Sequence, residues 1–377
     1  MDEGRQLTAS YRVGQDQAHD RLDSRLADQN FSLPQAVKGA QDALAALNVP
    51  EQDRQKIQQS MDQLLGKLPE ALQREAAVYL EQLFSARGQA LGPETLAAVL
   101  GKISEMADQP YDARVGDPKS FAVSALRDIA VPESIFQGKT MACASASVQV
   151  QLSLTDPMRY LNMADTLAQG KAFEGMEPNW SFTRETEAST DTQRSITARL
   201  MQNTIMEVGR DIEGEVLNTA NRPGVEDFDS SIPQGIVKVV EGRPTPGAGL
   251  TKAEKERLSG GTDELAGVYL ESKVLGRDLP VLYHSGIKDG QAEYAESDVV
   301  HNVPRSELVD VLRQAEPSRS NPIRISFQSS ESGLHSMTAI GIDEEAVYVI
   351  NSASGGIDRS PLEDFGGRVV GVYVPGD

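Results

Sequence analysis

One cysteine, four histidines and an asparagine at a strand end set what chemistry this 377-residue chain can carry. Cys143 opens the segment CASASVQVQL, which reads as a helix, so the thiol stands where a helix N-terminus favours the thiolate. A neighbouring imidazolium would lower its pKa further. His19 lies in a polar arm, and His284 and His301 fall in or near turn-rich stretches. His335 instead begins the apolar strand HSMTAIGI, where its ring can be held rigidly. Asn351 ends the next strand, VYVIN, and a hairpin brings those two strand ends together. An amide there can fix the tautomer and orientation of the imidazole. Thiolate attack on a carbonyl also develops an oxyanion. Gln137, just upstream of Cys143, offers a side-chain amide that can stabilise it together with the Cys143 N–H.

These segments resemble those of the papain-like cysteine peptidase superfamily. In QGKTMAC a Gln-Gly pair is followed by four residues and then the cysteine; HSMTAIGI and VYVINSASGG are similar to the family's His and Asn strands, including the serine, Ser352, after the asparagine. The order Gln, Cys, His, Asn matches as well. The helix and strand before His335, and the PLEDF turn with the final strand, are more similar to bacterial members such as the bacteriocin-processing peptidases than to the lysosomal enzymes. The resemblance covers about residues 130 to 160 and 304 to 377 and implies a central helix packed on an antiparallel sheet. It also implies Cys143 as nucleophile, His335 as proton carrier, Asn351 as its orienting partner and Gln137 at the oxyanion.

The chain departs from the pattern where Ala144 and Ala353 stand in place of aromatic residues. The long interval from Cys143 to His335 implies an insertion over about residues 165 to 300, a candidate substrate cleft. With water as acceptor the implied activity is that of a cysteine peptidase. An amine as acceptor makes it a transglutaminase, and attack on a glutamine side chain makes it a deamidase. A non-catalytic papain-like scaffold that binds a partner is the alternative outside enzymology.

The elements that must position these groups follow from periodicity. Residues 1 to 30 hold few large apolar residues and read as a flexible arm. Residues 31 to 110 read as an antiparallel helical bundle, with Leu33, Val37, Ala40, Leu44 and Leu47, then Ile57, Met61, Leu64 and Leu68, then Leu72, Ala76, Leu80 and Leu83, each at helical spacing. A fourth helix begins at GPETL. DQPYDARVGDPKS reads as a linker, and residues 111 to 377 as the domain that carries the chemistry. Within it, ACASASVQVQLSLTDPMRYLNMADTLAQG reads as one or two helices. Residues 221 to 262 read as an irregular insertion with GIVKVV as a short strand. PRSELVDVLRQAEPS reads as a helix, and PIRISFQ, HSMTAIGID, AVYVINS and RVVGVYVP as strands. Helices preceding an antiparallel sheet make the class α+β. The bundle offers no chemistry of its own, and its expected roles are inhibition, targeting or partner binding.

Composition narrows the rest. Against 36 basic residues the chain sets 56 acidic ones, a net charge of -20, and no Lys/Arg run, which argues against a nucleic-acid partner; a protein or peptide substrate is what the resemblance implies. No apolar run approaches the ~20 residues of a membrane span. A single cysteine excludes an internal disulfide and a thiolate zinc site, and no His or Cys pair has metal-ligand spacing, so no metal or cofactor is expected. GAGLTK lacks the Gly-Lys-Ser/Thr ending of a phosphate loop. Trp180 reads as core. The polar, acidic N-terminus lacks the pattern of a secretion signal, which points to the cytoplasm or to export without a cleavable leader.

Overall fold

The computed structural model describes residues 25–28, 31–137, 142–180, 194–216, 227–228, 236–240, 243–246, 264–288, 291–292, 294–329 and 333–376. Most of the arm, together with His19 and GAGLTK, lies outside the described residues. The end of the arm is tied down: Arg25 pairs with Glu81 at 2.7 Å and its guanidinium lies over the Phe31 ring.

The N-terminal region is helical: α1 (Leu33–Ala46), α2 (Glu51–Lys67), α3 (Glu70–Gln82) and α4 (Gly88–Met106). Helix α1 starts where Gln35 Oε1 accepts from the Ser32 N–H at 2.8 Å, satisfying a backbone donor that the helix leaves open. Its inward stripe is Ala36, Ala40 and Leu44, so Ala36 takes a place expected for Leu33 or Val37. Helix α4 begins before the expected glycine, and its axis breaks at Gly92, whose φ of 74° is open to glycine and which Pro93 follows.

Four further long helices complete this half: α5 (Pro118–Ala130), α6 (Cys143–Thr155), α7 (Pro157–Ala168) and α8 (Ile196–Val216). The starts of α5 and α7 share one device. Asp117 and Asp156 each stand before a proline at the first helical position and accept a backbone N–H, from Ser120 at 2.9 Å and from Arg159 at 2.8 Å. The expected linker is anchored at two points: Val115 is buried and the Tyr111 hydroxyl donates to Asp165 at 2.8 Å. Trp180 is partly buried against the core, with Arg114 over its ring.

One apolar core runs without a break from Ala36 to Leu275, so the N-terminal helices and the helices after them share it. Each fully buried Leu or Ile contributes roughly 1.5–3 kcal/mol. Arg87, buried between the two groups, donates to the Ile129 carbonyl and, at 2.9 Å each, to those of Ser153 and Leu154. It thereby satisfies carbonyls in the last turn of α6, where a cation also meets the negative end of the helix dipole. Burial pushes its pKa down to about 10.

After α9 (Glu264–Leu275) the chain forms a seven-stranded mixed sheet: β1 (Val281–His284), β2 (Val300–Asn302), β3 (Ile323–Ser329), β4 (Gly333–Ile342), β5 (Ala346–Asn351), β6 (Gly356–Pro361) and β7 (Val369–Val374). Their spatial order is β6-β5-β4-β3-β7-β1-β2, with only the β1 and β2 pair parallel. Helices α10 (Leu308–Gln314) and α11 (Leu362–Gly366) cover one face through Leu308, Leu312 and Phe365; α6 and α9 cover the other through Val150, Leu154 and Val268. The fold is therefore α+β with a helical N-terminal region. The expected strand GIVKVV is present as Ile236–Val240, the middle of a small three-stranded sheet.

Helix α6 is buried on every side from Ala144 to Leu154, polar residues included. Gln149 donates to the Tyr160 hydroxyl at 2.8 Å, Tyr160 donates to Asp128 at 2.7 Å, and Gln202 donates to both Gln149 and the Phe136 carbonyl at 3.1 Å. Burial raises the Asp128 pKa to about 6, against the opposing pull of the Tyr160 hydrogen bond. A carboxyl group whose folded pKa exceeds its unfolded value of 3.8 holds its proton better in the folded chain. Its contribution therefore favours the fold below pH ~4 and is lost as the pH rises to about 6. Urea unfolding should show Asp128→Asn removing a loss of on the order of 3 kcal/mol between those pH values. Parallel stability profiles for wild type and variant would refute this.

Candidate active site

Cys143 is the first residue of α6, and the tight burial of that helix against β4 fixes where its N-terminus points; the Thr338 hydroxyl donates to the Ser147 carbonyl at 3.3 Å, one turn along. The thiol is half-buried and hydrogen-bonded to His335. Burial pushes the thiol pKa up, but the His335 hydrogen bond and charge, with the backbone N–H groups of Ser336 and Ala144, outweigh it and bring the group below its ordinary value. For His335 the balance is reversed. Burial lowers its pKa, while Cys143, Asn351 and Asp358 raise it further, to above the usual imidazole value. Opposite shifts in two hydrogen-bonded partners favour the thiolate and imidazolium pair.

His335 sits on β4 opposite Phe327 of β3, and Asn351 ends β5, the neighbour on the other side. His335 Nε2 and Asn351 Oδ1 are 2.8 Å apart, so Nε2 carries the proton and Nδ1 is the ring atom left for sulfur. The carboxamide is held at both ends: Oδ1 also accepts from the Ala353 N–H at 3.1 Å, and Nδ2 donates to Asp358 at 2.7 Å.

Gln137, 7% exposed, joins the site through the residue after Asn351. Its N–H donates to the Ser352 carbonyl at 2.9 Å, and its Oε1 accepts from the Ser352 hydroxyl at 2.8 Å. With Oε1 committed, the amino end is the donor end of that amide. The structure thus brings together Cys143, His335 and Asn351 directly, and Gln137 by way of Ser352.

The other described histidines are engaged elsewhere. His284 is a buried strand residue, with Nδ1 accepting from the Gly286 N–H at 3.1 Å and Nε2 lying 3.6 Å from Glu264 Oε1. His301 pairs with Glu296 at 2.8 Å. Among the described residues no group of three or more His, Cys, Asp or Glu side chains is placed to hold a metal ion, and no helix is long and apolar enough to cross a membrane. Asp358, 3% exposed, is the member of the cluster that sequence reasoning missed.

Compared with protein-family models, with curated proteins and with solved structures, the chain matches none.

Proposed function

We propose that this chain is a thiol-dependent amide hydrolase of papain-like architecture, with α6 as the central helix and residues 165 to 300 as an enlarged middle section. The observation that carries the reading is the hydrogen-bonded series Cys143, His335, Asn351, whose first two members have pKa values moved in opposite directions. On this reading the Cys143 thiolate attacks a peptide or amide carbonyl carbon, a C–S bond forms and negative charge passes to the carbonyl oxygen. The Gln137 amide and the Cys143 N–H donate to that oxygen. His335 gives its proton to the departing amine, the C–N bond breaks and a thioester remains. Water then attacks the thioester while His335 takes its proton, which releases the acid and restores the thiol. An amine in place of water yields a new amide, and a glutamine side chain as the attacked amide yields glutamate and ammonia.

The test compares wild type with Cys143→Ala on a proteome-derived peptide library, with and without a primary amine, read by mass spectrometry. New peptide termini from wild type alone are the expected result. Amine adducts or glutamine-to-glutamate conversion would assign it to transamidation or deamidation instead. Identical spectra from both proteins would sink acyl transfer altogether.

A further inference from the structure

The Asn351 carboxamide has an accepting end and a donating end, and its orientation decides which tautomer of His335 it stabilises. With Oδ1 toward the ring, Nε2 must carry the proton and Nδ1 is left to face sulfur; with Nδ2 toward the ring, the proton would move to Nδ1. Nothing intrinsic to an amide settles that choice. Two neighbours do: the Ala353 N–H, which can only donate, holds Oδ1 at 3.1 Å, and Asp358, whose ionised carboxylate can only accept, takes the Nδ2 hydrogen at 2.7 Å. Residues 356 to 361 form β6, which runs back along β5 from Gly356 opposite Asn351, so the Asp358 carboxylate lies one hairpin turn away from the amide it holds.

We infer that Asp358 is a positioning residue that, together with the Ala353 N–H, fixes the Asn351 amide so that His335 presents Nε2–H to Oδ1 and Nδ1 to sulfur. The inference rests on the reading of Cys143 and His335 as the reacting pair. The surroundings of Asp358 are suited to holding one acceptor in one place. Its side chain is buried, Ser354 Oγ lies 3.5 Å from both carboxylate oxygens, and His335 is the charge acting on it across β5. The turn Pro132–Ser134, packed against β6, brings Glu133, which is itself paired with Arg319 at 3.2 Å. The next residue, Arg359, is turned to the exposed side and pairs with Glu345 at 2.7 Å. Burial raises the Asp358 pKa, while the Asn351 and Ser354 hydrogen bonds and the His335 charge pull it back.

The test uses iodoacetamide labelling of Cys143 in the full chain from pH 5 to 9, for wild type, Asp358→Ala, Asn351→Ala and the double variant. Asp358→Ala should label about tenfold more slowly at pH 6, the size of one pKa unit, and most of that loss should vanish in the Asn351→Ala background, where only the direct charge of Asp358 on His335 remains. A fast wild type matched by Asp358→Ala, or losses that multiply in the double variant, would overturn the positioning role alone. A wild type that labels only as an ordinary thiol would overturn the reading of the reacting pair and this inference with it. Asp358→Asn keeps the side-chain shape yet can donate as well as accept. Read in a Cys143→Ala background at pH ~9, where the ring is neutral, Asp358→Asn should move the His335 ring 15N resonances from the Nε2-protonated pattern toward a mixture, and an unchanged pattern counts against the proposal.

Discussion

At pH 6 the His335→Ala variant should alkylate at Cys143 about ten- to a hundredfold more slowly than wild type. An ordinary thiol of pKa near 8.5 is only about 0.3% thiolate at that pH. Without the imidazolium, only the Ser336 and Ala144 N–H groups still favour the anion, and burial opposes it. Thiolate population alone therefore allows about a 300-fold difference. Part of that is given back, because nucleophilicity falls with thiol pKa by a Brønsted factor of about 0.4–0.5. The gap should close toward pH 9, where the variant's thiol ionises too. Intact-protein mass followed over time across that range measures both limbs, and equal rates at pH 6 would rule out a Cys143 and His335 ion pair.

The second large effect concerns stability. Arg324 on β3 and Glu271 on α9 are 2% and 0% exposed at the side chain, and Nε meets Oε2 at 2.8 Å. The Arg324 guanidinium also lies over the Tyr373 ring, 3.4 Å from its centroid. It fits beneath α9 because residue 267 is glycine; a Cβ there would come within 2.7 Å of Arg324 Nη2. Glu271 accepts from Arg277 and Gln151 too, so a single carboxylate answers three donors. Removing Glu271 leaves Arg324 buried without its carboxylate, whereas removing Arg324 leaves Glu271 with the partly exposed Arg277 as its remaining cation. Glu271→Ala should therefore lower stability by about 3–5 kcal/mol, a large share of the roughly 5–15 kcal/mol that holds a typical fold, and Arg324→Ala by less, because Arg277 still meets the carboxylate. Arg324→Met combined with Glu271→Leu should lose much less than Glu271→Ala, because the only charge left without its partner is Arg277, which reaches solvent. Urea midpoints with an unchanged slope measure the difference. A Glu271→Ala loss below about 1 kcal/mol would show that the pair is solvated in solution.

Much of the architecture was legible because the residues obey one period at a time. Helix α2 buries Ile57, Met61 and Leu64 along one stripe, and β3 sets Ile323, Ile325 and Phe327 at alternate positions. The elements that escaped notice are those whose buried side chains are polar. In β6 the inward positions are Gly356, Asp358 and Ser360, so the strand shows no apolar alternation and Asp358 was hidden with it. Helix α9 buries Glu264 and Glu271 beside Val268 and Leu270, which erases its amphipathic signature. Helix α5 sits where the sequence suggested only a mixed pattern after a linker. Cys143, His335 and Asn351 could be linked in advance because a helix start and one hairpin suffice to relate them. The link from Gln137 to the site runs through Ser352 and depends on tertiary packing that no local spacing encodes.

Arg87 bears on how this protein can evolve. Its guanidinium, rooted between α3 and α4, reaches the last turn of the helix whose first residue is Cys143. Recombination that joined residues 111 to 377 to a different leader would strip those carbonyls of their donor and uncover the shared apolar core. The N-terminal helices and the thiol-bearing helix thus depend on each other for their core and for the donors that close the last turn of α6.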